Sequence, residues 1–347
     1  MIVGNPPFLG DKKMRAELGH EYVQTIRELY KDRVPGGADL VTYWFEKARE
    51  QIKNGKTKRA GLLATNSIRG GKNRHVLERI REIGGIFFAG SDRPWILNGA
   101  AVRVSMVGFD DGSELRKLLD GAPVEQIYAD LTGALNLSSA LSLKENSGIS
   151  FIGTQKGGSF DISSELAHEM LATRGNPNGK PNSDVVRPWI NGLDITRRPR
   201  GMWIIDFGTD MSEEDAALYE APFEHVKENV YPARKDLRRE NHRRYWWIHA
   251  ESRPGMRRSL EPMIRYLSTP RVAKHRLFVW TDRDTLPDSQ VVVFVRDDDY
   301  FFGVLHSRAQ ELWALSMGTW MGVGTWMGVG NDLRYGPSMC FETFPLP

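Results

Sequence analysis

Met1-Ile2-Val3-Gly4-Asn5-Pro6-Pro7-Phe8 opens the chain, and the character of the residues changes abruptly at the glycine. The apolar run before Gly4 is typical of the end of a buried strand, and a glycine lets the backbone turn sharply out of it. The two consecutive prolines then hold the backbone extended and remove two N–H donors. The sequence therefore predicts a stiff polar loop at the carboxyl end of a strand.

This loop has the chemistry to hold a planar ring by an amino group. Asn5 carries a side-chain carbonyl oxygen, the backbone beside the prolines exposes its own carbonyl oxygens, and Phe8 offers a flat apolar face. Acceptors beside a stacking ring are what an enzyme needs to hold a flipped-out base by its exocyclic amine. The alternative interpretation is a proline-stiffened turn that binds nothing.

Apolar periodicity after the loop predicts the later part of an α/β sheet. Two of the predicted strands end in polar loops, one at residues 5–8 and one at Thr65-Asn66-Ser67, and ligands of open α/β sheets bind at such strand ends. After the first loop, the predicted order is helix, strand, helix and a pair of strands, at residues 39–52, 60–65, 74–83, 85–89 and 101–109.

Composition limits the class of protein. The chain has 347 residues, of which 40% are hydrophobic, enough for two domains with ordinary cores. No apolar run approaches the roughly 18 residues of a membrane span, and no secretion signal is visible. The single cysteine, Cys340, excludes an internal disulfide and a cysteine-based zinc cluster. We therefore expect a cytoplasmic protein that does not contact a membrane.

The net charge of +3 conceals a strong asymmetry. Residues 234–276 contain thirteen Lys/Arg and four Asp/Glu, so the rest of the chain carries −6. A basic segment in an otherwise acidic protein is the electrostatic pattern expected of a protein that binds phosphates. This pattern favours a nucleic acid over a protein as partner but does not separate DNA from RNA.

Changes in composition predict three parts of the chain: a partial α/β domain at residues 1–115, a linker at 116–150, and an α+β domain at 151–347. A short helix is predicted around Leu115, Leu118 and Leu119. Within the α+β domain we predict a helix at residues 262–266, a strand at 272–280, and two paired strands at 291–296 and 300–304.

The opening motif resembles that of the amino-group DNA methyltransferases, especially the N6-adenine enzymes, in which it takes the form Asn-Pro-Pro-Phe. Asp39-Leu40-Val41-Thr42-Tyr43-Trp44-Phe45 is similar to the helix that follows this loop in the family. Ser91-Asp92-Arg93-Pro94-Trp95, followed by Asn98-Gly99-Ala100-Ala101-Val102, resembles the loop before the family's closing hairpin.

The carboxyl-terminal half resembles the target-recognition domain of the MmeI-like, type IIL restriction–modification enzymes. In that family one polypeptide carries a nuclease, an N6-adenine methyltransferase and a recognition domain. The chain departs from the family in lacking the nuclease and the cofactor half, in stopping at Pro347, and in repeating Gly-Thr-Trp-Met-Gly-Val in tandem at residues 318–329. The matching segments occur in order at residues 244–247, 269–276, 302–308 and 341–345.

The resemblance implies S-adenosyl-L-methionine as the cofactor and double-stranded DNA as the partner. The family binds this cofactor with a glycine-rich loop on its first strand, whereas Met1 corresponds to the fourth strand. Residues 153–158 and 318–330 contain glycines, but neither segment joins a buried strand to a helix. We therefore expect a fragment that is inactive alone, with an incomplete cofactor site that a preceding part or a separate chain completes.

The resemblance also assigns the candidate site residues. Asn5 and the carbonyl of Pro6 would hold the adenine amine, Pro7 would stiffen the loop, and Phe8 would stack on the flipped base. No metal site is expected, because Asp297-Asp298-Asp299 in a hairpin turn is typical of a solvated turn. The candidate DNA-binding residues are Arg243, Arg244, Trp246, Arg257, Arg271, Lys274, Arg276 and Arg308.

Several alternatives remain open. One of two adjacent tryptophans usually lies in the core, so Trp246 is either a DNA contact or a core residue. His275 and His306 are interpreted as structural or DNA-facing rather than as catalytic bases. For the whole chain, the alternatives to an N6-adenine DNA methyltransferase fragment are a non-catalytic DNA-binding specificity module and an amine methyltransferase that acts on RNA or protein.

Overall fold

The structure, a computed structural model, describes residues 1–97, 100–133, 140–321 and 332–347. The chain divides into two compact units. Unit 1 comprises Met1–Ala140 and Thr319–Leu333, and unit 2 comprises Leu141–Gly318 and Arg334–Pro347.

Unit 1 is built on a mixed six-stranded sheet with the order β1-β2-β4-β3-β5-β6. β1 pairs in parallel with β2, whereas β2 with β4 and β3 with β4 pair antiparallel. The strands are β1 (Ile2–Gly4), β2 (Arg59–Thr65), β3 (Gly85–Leu97), β4 (Ala100–Asp110), β5 (Lys117–Leu119) and β6 (Ala122–Val124).

One face of this sheet carries the core of unit 1. Apolar residues at helical spacing on α3 and α4 pack on the central strands, and the rings of Phe45 and Phe109 stack with centroids 5.9 Å apart. β1 lies at the edge, where Met1 and Val3 are exposed, so the predicted burial of this strand is wrong for these two side chains. The helices of unit 1 are α1 (Asp11–Leu18), α2 (His20–Leu29), α3 (Val41–Lys53) and α4 (His75–Ile83).

Unit 2 contains two four-stranded sheets, with the orders β14-β9-β10-β8 and β13-β11-β15-β7. Each sheet has its own buried apolar cluster, centred on Phe160, Ile204 and Phe207 in the first and on Met256, Tyr266 and Val293 in the second. The strands are β7 (Ser150–Ile152), β8 (Asp161–Ile162), β9 (Val186–Ile190), β10 (Trp203–Ile205), β11 (Arg265–Pro270), β12 (Val272–Ala273), β13 (Val279–Asp282), β14 (Leu286–Pro287) and β15 (Val291–Phe294); the short β16 (Thr319–Met321) and β17 (Asp332–Arg334) follow along the chain.

Side-chain caps define the starts of the helices in unit 2. Ser163, Asn191, Ser212, Asp298 and Ser307 each accept a hydrogen bond from a backbone N–H of the first helical turn. The helices are α5 (Ser164–Ala172), α6 (Gly192–Thr196), α7 (Glu213–Ala217), α8 (Glu220–Asn229), α9 (Tyr231–Arg234), α10 (Glu240–Arg244), α11 (Pro254–Leu260), α12 (Asp299–Leu305) and α13 (Arg308–Met317).

Short apolar runs account for the wrong predictions of secondary structure. The predicted helix around Leu118 is the strand β5, because this segment pairs with β3. The predicted helix at residues 262–266 is replaced by the start of β11. The second strand of the pair predicted around Asp298 is the helix α12, because Asp298 caps it. Runs of four to six apolar residues fit either structure, and tertiary pairing decides between them.

The prediction of one strand across residues 272–280 is also wrong. β12 ends at Ala273 and β13 begins at Val279, with irregular backbone between them. Lys274 and Arg276 therefore do not project side by side from a strand. The predicted end of an element at Thr269-Pro270 is confirmed, because β11 ends at Pro270.

Two sequence features lie wholly or partly outside the described residues. These are Asn98 and Gly99 of the predicted hairpin loop, and residues 322–329 of the tandem repeat. None of the helices in the described ranges combines the length and apolar character that crossing a bilayer requires.

Candidate functional site

The 5–8 loop (Asn5, Pro6, Pro7 and Phe8) leaves the carboxyl end of β1, as the sequence predicts. Asn5 and Pro7 are exposed, Pro6 is buried and Phe8 is half-buried. Before the loop, Gly4 pairs with Leu62 of β2. The loop therefore presents an amide and an aromatic ring at the end of the sheet, anchored by one buried proline.

The chain after the loop is held by residues at the start of α3. The N–H of Leu40 donates to the carbonyl of Leu9 at 2.9 Å, and the N–H of Asp11 donates to Oδ1 of Asp39 at 3.0 Å. The 5–8 loop is thus fixed at both ends, by strand pairing before it and by these two hydrogen bonds after it.

The other oxygen of Asp39 bonds to the loop that follows β2. Oδ2 accepts from Ser67 Oγ at 2.8 Å and from Asn73 Nδ2 at 2.7 Å, and Asn73 Oδ1 accepts from the N–H of Asp39 at 2.7 Å. Ser67 Oγ lies 2.7 Å from Thr65 Oγ1. Because the Ser67 proton is donated to Asp39, the Thr65 hydroxyl is the donor in that pair. One carboxylate therefore joins Asp11, three residues beyond the 5–8 loop, to the polar loop that follows β2.

Asn66 belongs to a second polar group, on β3 and β4. Its Nδ2 donates to Asp92 Oδ1 at 3.0 Å, and its Oδ1 lies 3.0 Å from the hydroxyl of Ser105. Arg103 donates to the backbone carbonyl of Asp92 at 2.9 Å and pairs with its carboxylate. The loop predicted around Asp92 is therefore part of β3. There the pairing of β3 with β4 shifts register between Gly90 and Arg93, and these bonds hold the irregular segment in place.

The amide of Asn5 differs from the other amides at these strand ends. Asn66 and Asn73 are buried and hydrogen-bonded, whereas the side chain of Asn5 is exposed and bonds to no other residue that the structure describes. Its carbonyl oxygen is therefore available to accept a hydrogen bond from a ligand.

Two cavities are described in unit 1, and both lie away from the 5–8 loop. One lies among Arg27, Val34 and Glu82, and the other is an apolar groove on the sheet between Val3 and Phe88. Neither is lined by Asn5 or Phe8.

Among the candidate DNA-binding residues, Arg243, Arg244 and Lys274 are exposed and form no ion pair within the described part of the chain. The guanidinium of Arg244 lies over the ring of Tyr245 at 5.5 Å. Arg308 is exposed but pairs with Glu311 one turn along α13. These four positions present positive charge to solvent.

Trp246 is a core residue in the structure. It is 5% exposed, packs against Phe223 and Tyr231, and donates from Nε1 to Glu213 at 3.2 Å. A ring packed in this way has no free face for stacking on a base, which corrects the expectation of a DNA contact and favours the core alternative.

Arg257 is bound to a buried carboxylate. It donates to both oxygens of Asp206, at 2.7 and 2.9 Å. Burial alone would raise the pKa of Asp206, but the charge and hydrogen bonds of Arg257 outweigh it and lower the pKa to about 2. His249 Nδ1 lies 3.7 Å from the same carboxylate. This pairing gives Arg257 a partner inside unit 2, and its assignment to DNA stays a prediction.

The side chains of Arg276 and Arg271 bond to groups within unit 2. Arg276 donates to Thr269 Oγ1 at 3.2 Å and to the carbonyl of Pro270, and its guanidinium lies 4.9 Å from the centroid of the Tyr335 ring. Arg271 is half-buried and donates to the carbonyl of Ser289 at 3.4 Å. Burial lowers the pKa of both residues. The structure assigns Arg276 to the support of β11 rather than to a base in a groove.

An exposed basic turn at residues 197–201 is missing from the sequence-based candidates. Arg200 donates to both oxygens of Asp194, at 2.8 and 2.9 Å, which holds the turn after α6. Arg197 and Arg198 are exposed and form no ion pair with any residue in the described ranges. The sequence signal, Arg-Arg-Pro-Arg-Gly, lies outside the basic segment at 234–276 and was therefore missed.

The fold and the loop together define a class of protein. A parallel β1–β2 pair, a Pro-Pro loop at the end of β1 and a closing antiparallel pair β3–β4 form a mixed α/β sheet of the Rossmann-like kind. Residues 1–120 match the family model described as MmeI, DNA-methyltransferase domain.

A solved structure supports the same fold for the whole chain. The Type IIL restriction–modification enzyme MmeI, solved in complex with DNA, matches with a TM-score of 0.75 and 18% sequence identity. The match covers 99% of this chain and 46% of that chain, so this chain spans less than half of MmeI. The predicted resemblance to the MmeI-like enzymes and the mixed α/β fold class are confirmed, whereas the resemblance of the motif at residues 5–8 stays a prediction.

A second solved structure matches weakly. The match to the type IIG restriction endonuclease BpuSI covers 91% of this chain and 42% of the BpuSI chain, at 12% sequence identity. Its TM-score of 0.28 is too low to support an argument. No curated protein sequence matches this chain significantly.

Proposed function

We propose that the protein methylates the N6 amino group of adenine in double-stranded DNA, as part of a restriction–modification enzyme in the cytoplasm. S-adenosyl-L-methionine would supply the methyl group. The observation that carries the proposal is the exposed 5–8 loop, fixed at both ends, inside the segment that matches a DNA-methyltransferase domain. Residues 1–115 would perform the chemistry, with 116–150 joining them to the recognition domain at 151–347.

The 5–8 loop would hold the target amine. Oδ1 of Asn5 and the carbonyl oxygen of Pro6 would accept its two hydrogens, while Phe8 stacks on the ring. Two acceptors fixed in this way would direct the nitrogen lone pair out of the ring plane. S-adenosyl-L-methionine, when bound, would supply the methyl group from its sulfonium, and the amine would give up one proton to water.

Unit 2 would bind DNA through its exposed cations. Arg243, Arg244, Lys274 and Arg308 present charge to solvent, as Arg197 and Arg198 do. The DNA in the MmeI complex supports DNA over a protein as the partner. Buried Trp246 and the internally bonded Arg257 and Arg276 would act as support.

The substitution Asn5→Ala tests the proposal in an enzyme that contains this segment together with a cofactor-binding part. We expect methyl transfer to fall by on the order of 100-fold, because an acceptor for the reacting amine is lost, while the Kd for DNA changes little. Asn54→Ala, which removes an exposed amide at the end of α3, is the matched control and should retain full activity. Mass spectrometry of digested DNA identifies the modified base.

Three outcomes contradict the proposal in different ways. Methylated cytosine in place of N6-methyladenine would exclude the base assignment. Equal turnover of Asn5→Ala and the unsubstituted protein would remove the loop from the reaction. Sequence-specific DNA binding without any methyl transfer would favour the non-catalytic specificity module.

A further inference from the structure

We propose that Asp39 is the positioning residue for the 5–8 loop, an inference that rests on the function proposed above. Asp39 does not line the loop itself. It accepts hydrogen bonds from the chain on both sides of the site: Asp11, three residues beyond Phe8, and Ser67 and Asn73, which follow β2.

The loop needs an external anchor because its own backbone provides few hydrogen bonds. Pro6 and Pro7 have no N–H, so the chain between Gly4 and Leu9 has two fewer donors than an ordinary loop. Directly after the loop, the backbone is held by the N–H of Leu40, which donates to the Leu9 carbonyl, and by the N–H of Asp11, which donates to Asp39. The side chain of Asp11 also pairs with Arg27. Of the two backbone bonds, only the one to Asp39 has a side-chain acceptor, and a substitution can therefore remove it.

A carboxylate suits this position better than an amide. Asp39 accepts on Oδ1 from Asp11 and on Oδ2 from both Ser67 and Asn73, so both oxygens act only as acceptors. An asparagine would turn its NH₂ group toward either the Asp11 N–H or the two donors on the other side. One of the two loops would then lose its bond.

The partners of Asp39 are hydroxyl, amide and backbone N–H groups, and no Lys or Arg within the described ranges forms an ion pair with it. Its contribution is therefore geometric. A displacement of about 1 Å at a reacting group can reduce a rate about 100-fold, and Asp39 is placed to prevent such a displacement of the amine acceptors.

The test compares Asp39→Asn with Glu17→Gln, which neutralises an exposed carboxylate on α1 that bonds to no described residue. We expect Asp39→Asn to lower methyl transfer at saturating DNA about 10- to 100-fold with the Kd for DNA unchanged. Backbone amide exchange at residues 9–11 should become at least several-fold faster. Glu17→Gln should change neither quantity.

Two further variants keep the test decisive if Asp39→Asn folds poorly. Ser67→Ala removes one donor and should produce a smaller effect in the same direction. Combining Asp39→Asn with Asn73→Asp exchanges the acid and amide of the reciprocal pair, and should recover methyl transfer at least threefold over Asp39→Asn alone.

The outcomes separate this inference from the proposed function. If Asn5→Ala is inactive while Asp39→Asn turns over normally, Asp39 has no positioning role and the proposed function stands. If the unsubstituted enzyme that contains this segment together with a cofactor-binding part transfers no methyl group, the proposed function fails, and amide exchange at residues 9–11 alone decides the role of Asp39. Unchanged exchange in a folded Asp39→Asn variant overturns the inference.

Discussion

Asp39 in unit 1 and Asp206 in unit 2 show two uses of a hydrogen-bonded carboxylate. Asp39 is half-buried, lies at strand ends and is held by uncharged donors. Asp206 is 4% exposed and is held by Arg257, with His249 alongside. The first arrangement sets the position of a loop at the surface. The second stabilises the interior of unit 2, because a buried charge requires a partner that compensates its loss of water.

Removing Arg257 should produce the largest effect on stability. Arg257→Ala leaves the buried Asp206 carboxylate with only the more distant Arg187, 3.9 Å away, which we expect to lower the free energy of unfolding by about 3 kcal/mol. Urea unfolding followed by tryptophan fluorescence measures the loss. Lys227→Ala, which removes an exposed ion pair with Glu224, is the control and should cost less than about 0.5 kcal/mol. If Arg257→Ala has normal stability but binds DNA more weakly, Arg257 is a DNA-binding residue.

Acidification should destabilise unit 2 through His249. Burial lowers the pKa of His249 from 6.5 to about 4, so the folded state keeps this group neutral while the unfolded chain takes up a proton. The free energy of unfolding should therefore fall by about 3 kcal/mol between pH 6.5 and pH 4. The lowered pKa of Asp206 adds a further loss between pH 3.8 and about 2.

The variant His249→Gln isolates this contribution. Its stability should depend less on pH between 6.5 and 4 than that of the unsubstituted protein, measured by urea unfolding at several pH values. His225, whose pKa burial also lowers, remains in both proteins and supplies a common background. Identical pH profiles would show that His249 is not neutral in the folded protein.

The smallest expected effect concerns the exposed cations. Replacing both Arg197 and Arg198 by alanine should reduce the slope of log K against log salt for DNA binding by about 1.8, because about 0.9 is lost per phosphate contact. Arg283→Ala, which removes a cation paired with Asp284, should leave the slope unchanged. Equal slopes for the double variant and the unsubstituted protein would exclude the turn from the DNA surface.

The parts of the fold that the sequence predicts are those encoded by local signals. α3, α4 and β2 have long apolar repeats of one period, and each lies within two residues of its predicted bounds. β11 and α12 were predicted wrongly because their short apolar runs fit both structures. For α12 a local signal existed, since Asp298 is a helix-capping residue type.

The candidate site likewise has a part that local sequence predicts and a part that depends on contacts distant in sequence. The 5–8 loop follows from its two prolines, which constrain the backbone wherever they occur. The partners of Asp39 lie 28 and 34 residues away in sequence, and Arg257 lies 51 residues from Asp206. Such pairs depend on tertiary packing. A pattern in the sequence alone therefore does not show that Arg257 and Trp246 bond to neighbours inside unit 2.

The anchoring of the 5–8 loop at both ends has a thermodynamic consequence. A loop that is already ordered loses little conformational entropy when a base arrives, so most of the ordering cost falls on the nucleic acid. The heat-capacity change of base capture should then follow the apolar area that Phe8 buries, rather than folding of the loop. Calorimetry can test this by titrating the protein with short duplexes in which one base is already unpaired. The heat-capacity change of binding should differ only slightly between Phe8→Leu and the unsubstituted protein, and the difference should not vary with temperature.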